Sequence, residues 1–183
     1  MDSAACSYRR FLDGDTSAFD EVIRELFDHL VFFVDRYIQD THAAEDIAID
    51  VFTDLLVHRS RYNFRVTLKT YIFMLGRSRA LNYIKRRNRI QTEPITEAES
   101  ALADRVLLED QFLLSERNRL LNEALATLPK DMKAAIHLVY FEGLSYDEAA
   151  TVMKKNKKQV DNLLYRAKNA LRTTLGKEGE DLL

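Results

Sequence analysis

The stretch Gly143-Leu144-Ser145-Tyr146-Asp147-Glu148-Ala149-Ala150-Thr151-Val152-Met153-Lys154-Lys155-Asn156-Lys157-Lys158-Gln159-Val160 decides the fold. Ser145 followed three residues later by Glu148 is a capping box, in which each side chain satisfies a backbone N–H of the other residue at the start of a helix. Leu144 is placed to staple against Ala149. The spacing predicts a short helix from Tyr146 to about Met153, a break over Lys154 to Asn156, and a longer helix from about Lys157. In that second helix Val160, Leu163, Leu164, Ala167 and Leu171 recur on one inward face. Two helices about a tight turn, the second with a polar outer face, make a helix-turn-helix. Its outer face carries Lys157, Lys158, Asp161, Asn162, Tyr165, Arg166 and Lys168. The basic groups would meet phosphates, while Gln159 and Asn162 would read base edges in the major groove. The alternative is an ordinary helical hairpin with a charged surface.

Working upstream, Gly143 ends a helix carrying Ala134, Ala135, Leu138, Val139 and Phe141, and Pro129 suits its first turn. Before it, Leu120, Leu121, Ala124, Leu125 and Leu128 form an amphipathic helix starting near Glu116. Residues from about Ile90 to Ser115 are polar and acidic, are broken by Pro94, and offer a Thr96–Glu99 capping box for one short local helix; they read as a linker. The N-terminal part is helical. Phe19, Val22, Ile23, Leu26, Phe27, Leu30, Val34 and Ile38 give one apolar stripe. Asp40 and Thr41 cap a second helix with Ile47, Val51, Phe52, Leu55 and Leu56 inward and Asp46, Asp50 and Asp54 aligned at i, i+4, i+8. His58 to Asn63 reads as a loop, and Thr67 caps a third helix on which Leu68, Tyr71, Ile72, Leu75, Arg79, Tyr83 and Arg86 share related turns. The expected class is all-α: two small helical domains over residues 1–90 and 116–176, a linker over 91–115, and a tail over 177–183.

Composition agrees. In 183 residues there are five glycines and two prolines, too few for a many-turned β sandwich, and 46% hydrophobic residues suffice for a core. The longest apolar run, Leu30 to Val34, is too short to cross a membrane and nothing near the N-terminus resembles a signal peptide. A lone Cys6, near a terminus expected to be mobile, excludes an internal disulfide framework, so the expected location is a reducing cytoplasm. The net charge of -2 hides segregation. Tyr37 to His58 holds five acids and no Lys or Arg, Arg59 to Arg89 holds ten basic residues and no acid, and a second basic block runs from Lys154 to Arg172. Two basic blocks apart from an acidic one suggest two anionic contacts separated by a surface meant for something else.

The ordered set of segments resembles the extracytoplasmic function (ECF) type of bacterial sigma factor. Gly14-Asp15 with Ala18-Phe19 is similar to that family's opening, and Ala44-Glu45-Asp46-Ile47-Ala48-Ile49-Asp50-Val51-Phe52-Thr53-Asp54-Leu55-Leu56 to its most recognisable helix. Phe64 to Arg87 resembles the basic helix that follows, while Leu128-Pro129, Glu142 to Ala150 and Arg166 to Leu171 resemble the C-terminal domain. The resemblance implies that Glu45, Asp46, Ile47, Asp50, Val51, Phe52 and Leu55 dock on the β′ clamp helices of core RNA polymerase. It implies that Arg61, Tyr62, Asn63, Phe64, Lys69, Ser78, Asn82, Lys85, Arg86 and Arg87 bind and open the minus-ten element, with Arg61, Tyr62 and Asn63 at a flipped base. It further implies that Ser145, Tyr146, Lys157, Lys158, Gln159, Asp161, Asn162, Tyr165, Arg166 and Lys168 read the minus-35 element, and that the C-terminal domain touches the β flap. An anti-sigma factor is an expected partner, and neither a cofactor nor a metal is expected. The family often has Asn where Ser78 stands, Trp near Leu56, and Gly where Lys154 stands; a non-glycine there needs a positive φ, at about 1 kcal/mol.

Other readings stay open on the residues alone. A stand-alone helix-turn-helix regulator accounts for the C-terminal block but leaves the acidic helix without a purpose. A sigma-like binding partner that has lost promoter opening is a further alternative. An enzyme is disfavoured: there is no phosphate-binding glycine loop, no G-x-S-x-G and no H-E-x-x-H, and His29, His42, His58 and His137 are scattered.

Overall fold

The computed structural model describes residues 3–91 and 123–175, in which every regular element is helical. The N-terminal lobe holds α1 (Ser3–Leu12), α2 (Ala18–Ile38), α3 (Thr41–Val57), a 3₁₀ turn (Arg59–Arg61) and α4 (Leu68–Gln91). The C-terminal lobe holds helical residues 123–127, α5 (Lys130–Ile136) continuing into a π-helical turn (His137–Phe141), α6 (Tyr146–Met153) and α7 (Lys157–Leu175). The expected linker with its Thr96–Glu99 box, and Leu120 and Leu121, lie outside the described residues.

The α2 stripe packs inward as its period requires: Phe19, Val22, Leu26, Leu30, Val34 and Ile38 are buried, with Ile23 and Phe27 half-buried. Asp40 then caps α3, its carboxylate accepting from Ala43 N–H at 3.1 Å. Helix α4 crosses α2 at Gly76, where a Cβ would stand 2.6 Å from Leu30 Cδ1 and 3.3 Å from Val34 Cγ2, so a side chain there would have to displace Leu30 and press on Val34. The expectation for Cys6 is corrected: it lies in α1, which Tyr8 and Phe11, both fully buried, fix to the lobe. Tyr8 Oη donates to the carbonyls of Leu55 (2.9 Å) and Arg59 (3.3 Å), and burial pushes its pKa up to about 12.

In the C-terminal lobe the capping box forms: Ser145 Oγ accepts from Glu148 N–H at 3.2 Å, and Glu148 Oε2 accepts from Ser145 N–H at 2.9 Å. Val152, Met153, Val160, Leu164 and Leu171 close a core over Leu128, Met132, Ala135, Leu138 and Leu144. Each fully buried large aliphatic side chain contributes about 1.5–3 kcal/mol. Lys154 makes the turn with φ 53°, as its position demands, and Gly143 ends the preceding helix at φ 68°. Two local expectations shift. Pro129 sits one residue before α5, as its N-cap, because its extended ψ of 147° starts the helix at Lys130. Phe141 is exposed, since the π-helical turn widens the helix and rotates it off the inward face.

The two lobes pack on each other through α4 against α6 and α2 against α5. Thr67 Oγ1 and Thr70 Oγ1 reach Glu148 Oε1 at 3.2 and 3.4 Å. Lys69 Nζ donates to the Glu142 carbonyl at 2.8 Å and pairs with its carboxylate at 2.8 Å, and the Phe33 and His137 rings meet at 5.7 Å.

Candidate nucleic-acid interface

Helix α3 presents the acidic face, but not with the apolar residues the pattern suggested. Glu45, Asp46 and Asp50 are exposed, whereas Ile47, Val51, Phe52 and Leu55 are buried in the lobe's core. The outward apolar residues are Ile49, Leu56 and Val57, at 52%, 40% and 64% exposure. Leu56 was expected inward, and Ile49 and Val57 had no assignment. Their signal lay in the outward series Asp46, Ile49, Asp50, Thr53, Leu56, Val57 at i, i+3, i+4, i+7, i+10, i+11. The acid stripe is not left to repel itself at its C-terminal end. Asp54 Oδ1 meets His58 Nδ1 and Arg61 Nη1 at 2.7 Å each, Asp54 Oδ2 meets Arg79 at 3.3 Å, and Arg79 is 3.8 Å from Asp50. Desolvation works to raise the Asp54 pKa, but Arg61, His58 and Arg79 overcome it and hold the carboxyl below its ordinary value.

The loop from Arg61 to Val66 is braced by its own side chains. Arg61 is tied to Asp54, Asn63 Oδ1 accepts from Arg65 N–H at 3.2 Å, and Phe64 takes φ 59° with the Arg9 guanidinium 4.8 Å from its ring centroid. Tyr62 was expected at a flipped base; instead it is 4% exposed, its hydroxyl donates to Val66 O at 2.7 Å, and its ring packs on Phe64 and Tyr71 at 4.5 and 5.2 Å. A cavity of about 540 Å³ opens beside the loop, lined by Arg9, Tyr62, Phe64, Arg65 and Thr67 and by Asp147, Glu148 and Thr151 from α6.

Along α4, Ser78, Asn82, Lys85, Arg86 and Arg89 are exposed on one stripe. Arg87 is half-buried, its guanidinium donating to Ile38 O at 3.4 Å and standing 5.9 Å from the Tyr83 ring centroid. Lys69, expected among the minus-ten residues, pairs with Glu142. On α7, Lys158, Asp161, Asn162, Tyr165 and Arg166 are exposed, Tyr165 to 67%. Gln159 Oε1 accepts from Asn156 N–H at 2.9 Å while Asn156 Oδ1 accepts from Gln159 N–H at 2.8 Å, so part of this predicted base reader caps its own helix. Lys157 pairs with Asp147 at 2.9 Å, Lys168 Nζ lies 5.0 Å from the Tyr140 ring centroid, Ser145 is committed to the capping box and Tyr146 is half-buried.

Set against known proteins, residues 22–90 match the family described as Sigma-70 region 2, and residues 118–171 that described as Sigma-70, region 4. The chain belongs to the sigma-70 family. Its relatives narrow this to the ECF type. It is 27% identical to the RNA polymerase sigma-H factor of Pseudomonas aeruginosa, over 86% of each chain. It is 29% identical to the ECF RNA polymerase sigma factor SigE of Mycolicibacterium smegmatis, over 92% of this chain and 66% of that one. The fold is that of the sigma factor RpoE solved with the anti-sigma factor NepR from Bartonella quintana, with a TM-score of 0.65 at 21% identity over 87% of this chain and 97% of that one. As an ECF sigma factor the protein binds core RNA polymerase and directs it to promoters to initiate transcription. None of its described helices is long and apolar enough to cross a membrane.

Proposed function

We propose a division of labour among three faces of this ECF sigma factor. The outer face of α3, with Glu45, Asp46 and Asp50 around Ile49, Leu56 and Val57, docks on the β′ clamp helices. The stripe Ser78, Asn82, Lys85, Arg86 on α4, with the loop at Arg61 and Asn63, engages the minus-ten element. Lys158, Asn162, Tyr165 and Arg166 on α7 read the minus-35 element, and the same lobe touches the β flap. Residues 1–90 and 116–176 are the two working domains and 91–115 their linker. The protein works in the cytoplasm and makes no covalent bond itself, since it supplies specificity and the polymerase supplies the chemistry. An anti-sigma factor that covers its docking faces is its regulator, a partner of the kind with which the similarly folded sigma factor RpoE was captured.

The observation that carries this reading is the exposed pairing of acids with large apolar side chains on α3, on a lobe whose basic stripe lies on a different helix. A binding assay against core polymerase, followed by run-off transcription on pooled genomic fragments, tests it. One-to-one binding with core-dependent run-off is expected. Core-independent promoter binding by a folded protein would instead mark a stand-alone regulator. In titrations of promoter DNA with the holoenzyme, Lys158→Ala is expected to lower the slope of log K against log salt by about 1, as one lost phosphate contact requires.

A further inference from the structure

We propose that Asp161 on α7 selects cytosine at one position of the minus-35 element, by accepting a hydrogen bond from the cytosine N4 amino group in the major groove. This rests on the assignment of α7 to that element and adds to it the identity of one base.

Asp161 stands out first by charge. From Lys154 to Arg172 there are seven lysines and arginines, and Asp161 is the lone acid. It is the fifth residue of α7, flanked along the helix by the buried Val160 and Leu164. Its own side chain is turned outward with those of Lys158, Asn162 and Tyr165, all exposed. The N-terminal part of a recognition helix is the part that meets base edges. Among the described residues Asp161 forms no ion pair. Lys157, one turn earlier on the same side, is drawn instead to Asp147 of α6 at 2.9 Å, so the cation best placed to neutralise Asp161 is engaged elsewhere. Nor does the helix dipole account for an acid at this place, because its effect falls off within the first turn and Asp161 lies beyond it.

A carboxylate on that face is repelled by the phosphates that its lysine and arginine neighbours attract. Ionised, it has only acceptors to offer, so it is accommodated in the groove only against a donor. Guanine presents N7 and O6 acceptors there, and thymine an O4 acceptor and a methyl group; either would leave the carboxylate stripped of water and unpaired. Adenine places its N6 amino donor beside an N7 acceptor, which suits the paired acceptor and donor of an amide such as Asn162 better than a carboxylate. Cytosine presents its N4 amino group with no acceptor of its own beside it, and is the edge that fits Asp161. Selection is thus made largely by rejection, the carboxylate costing affinity wherever the base edge carries only acceptors.

The test reads the base preference itself. Holoenzyme formed with core polymerase is incubated with duplexes of a promoter recovered from the genomic run-off, randomised over its minus-35 element. The bound fraction is sequenced for the parent protein, for Asp161→Ala and for Asp161→Asn. The parent is expected to favour cytosine over guanine at one position by about fivefold to a hundredfold. Asp161→Ala is expected to lose the preference at that position alone, while binding a mixed-sequence duplex more tightly. Asp161→Asn is expected to move the preference to adenine, since an amide pairs with both N6 and N7. A profile that both variants leave unchanged overturns the inference. So does a change spread evenly over every position, which would show Asp161 acting through the fold or the polymerase. In either case, preferences that persist at other positions leave the assignment of α7 standing. A parent with no preference anywhere in the element, yet directing run-off, would bring down that assignment and this inference with it.

Discussion

Lys154 turns the chain between α6 and α7 at φ 53°, a conformation that costs a residue with a Cβ about 1–2 kcal/mol. Glycine removes that cost but widens the unfolded ensemble, at about 0.4–1 kcal/mol. The difference favours the substitution, so Lys154→Gly is expected to stabilise the protein by about 0.5–1 kcal/mol in urea unfolding, with the capping box and α7 intact. A lower midpoint would mean that the lysine makes a compensating contact. Gly76 is the opposite case. A helix interior ordinarily disfavours glycine by about 1 kcal/mol, yet here any Cβ meets Leu30 and Val34 on α2, both fully buried. Overpacking costs about 1–3 kcal/mol, and valine recovers little helix propensity. Gly76→Val is therefore expected to lose about 2 kcal/mol, read as a lower urea midpoint at unchanged slope. The turn residue was legible because handedness constrains a single position. The role of Gly76 was not, because it depends on a helix more than forty positions away in the chain.

At the scale of the element, α3 shows where periodicity stops informing. Its existence, start and cap followed from Asp40 and the recurring apolar residues, and the structure agrees. Its orientation did not follow, because Ile47, Ile49, Val51, Phe52, Leu55, Leu56 and Val57 wrap most of the helix and no single stripe dominates. Burial sorts them. Ile49→Asp together with Leu56→Asp is expected to weaken core polymerase binding at least tenfold with unchanged helical circular dichroism, as truncation of exposed apolar anchors does. Val51→Asp places a carboxylate at a fully buried site and is expected to unfold the N-terminal lobe by several kcal/mol. If the exposed pair stays folded and binds core normally, the docking face is elsewhere. The loop before α4 was misread for a related reason. Tyr62, in a basic and polar segment, looks available in sequence, but its ring fills space between α1 and α4 and its hydroxyl finds Val66 O within the loop.

At the scale of the whole molecule, the contact between lobes was invisible in the sequence, because it joins His29 and Lys69 to Glu142 from more than seventy positions away. It makes closure depend on pH. Desolvation works to raise the Glu142 pKa, but the contacts of His137 and Lys69, with His29, overcome it and hold the carboxyl down to about 2. The part of this depression that Lys69 and His29 supply from the other lobe stabilises the closed state above the ordinary value of 4.5 and is lost as pH falls below it. His137 acts earlier. Burial between Phe33 and Phe141 pushes its pKa below the ordinary 6.5, against the pull of Glu142 and with Arg36 and His29 opposing protonation. The closed form thus holds the ring neutral, whereas an opened form protonates it, so closure weakens as pH drops below about 6.5. Both groups act in the same direction. With dyes on Cys6 and on an introduced Arg172→Cys, energy transfer is expected to be high at pH 7.5, to fall as pH drops below about 6.5, and to fall further below 4.5. His137→Phe, which keeps the ring packing but cannot protonate, is expected to abolish the first step and to leave a smaller second one, supplied by Lys69 and His29. A first step that survives this substitution would mean that closure is governed by a group other than His137.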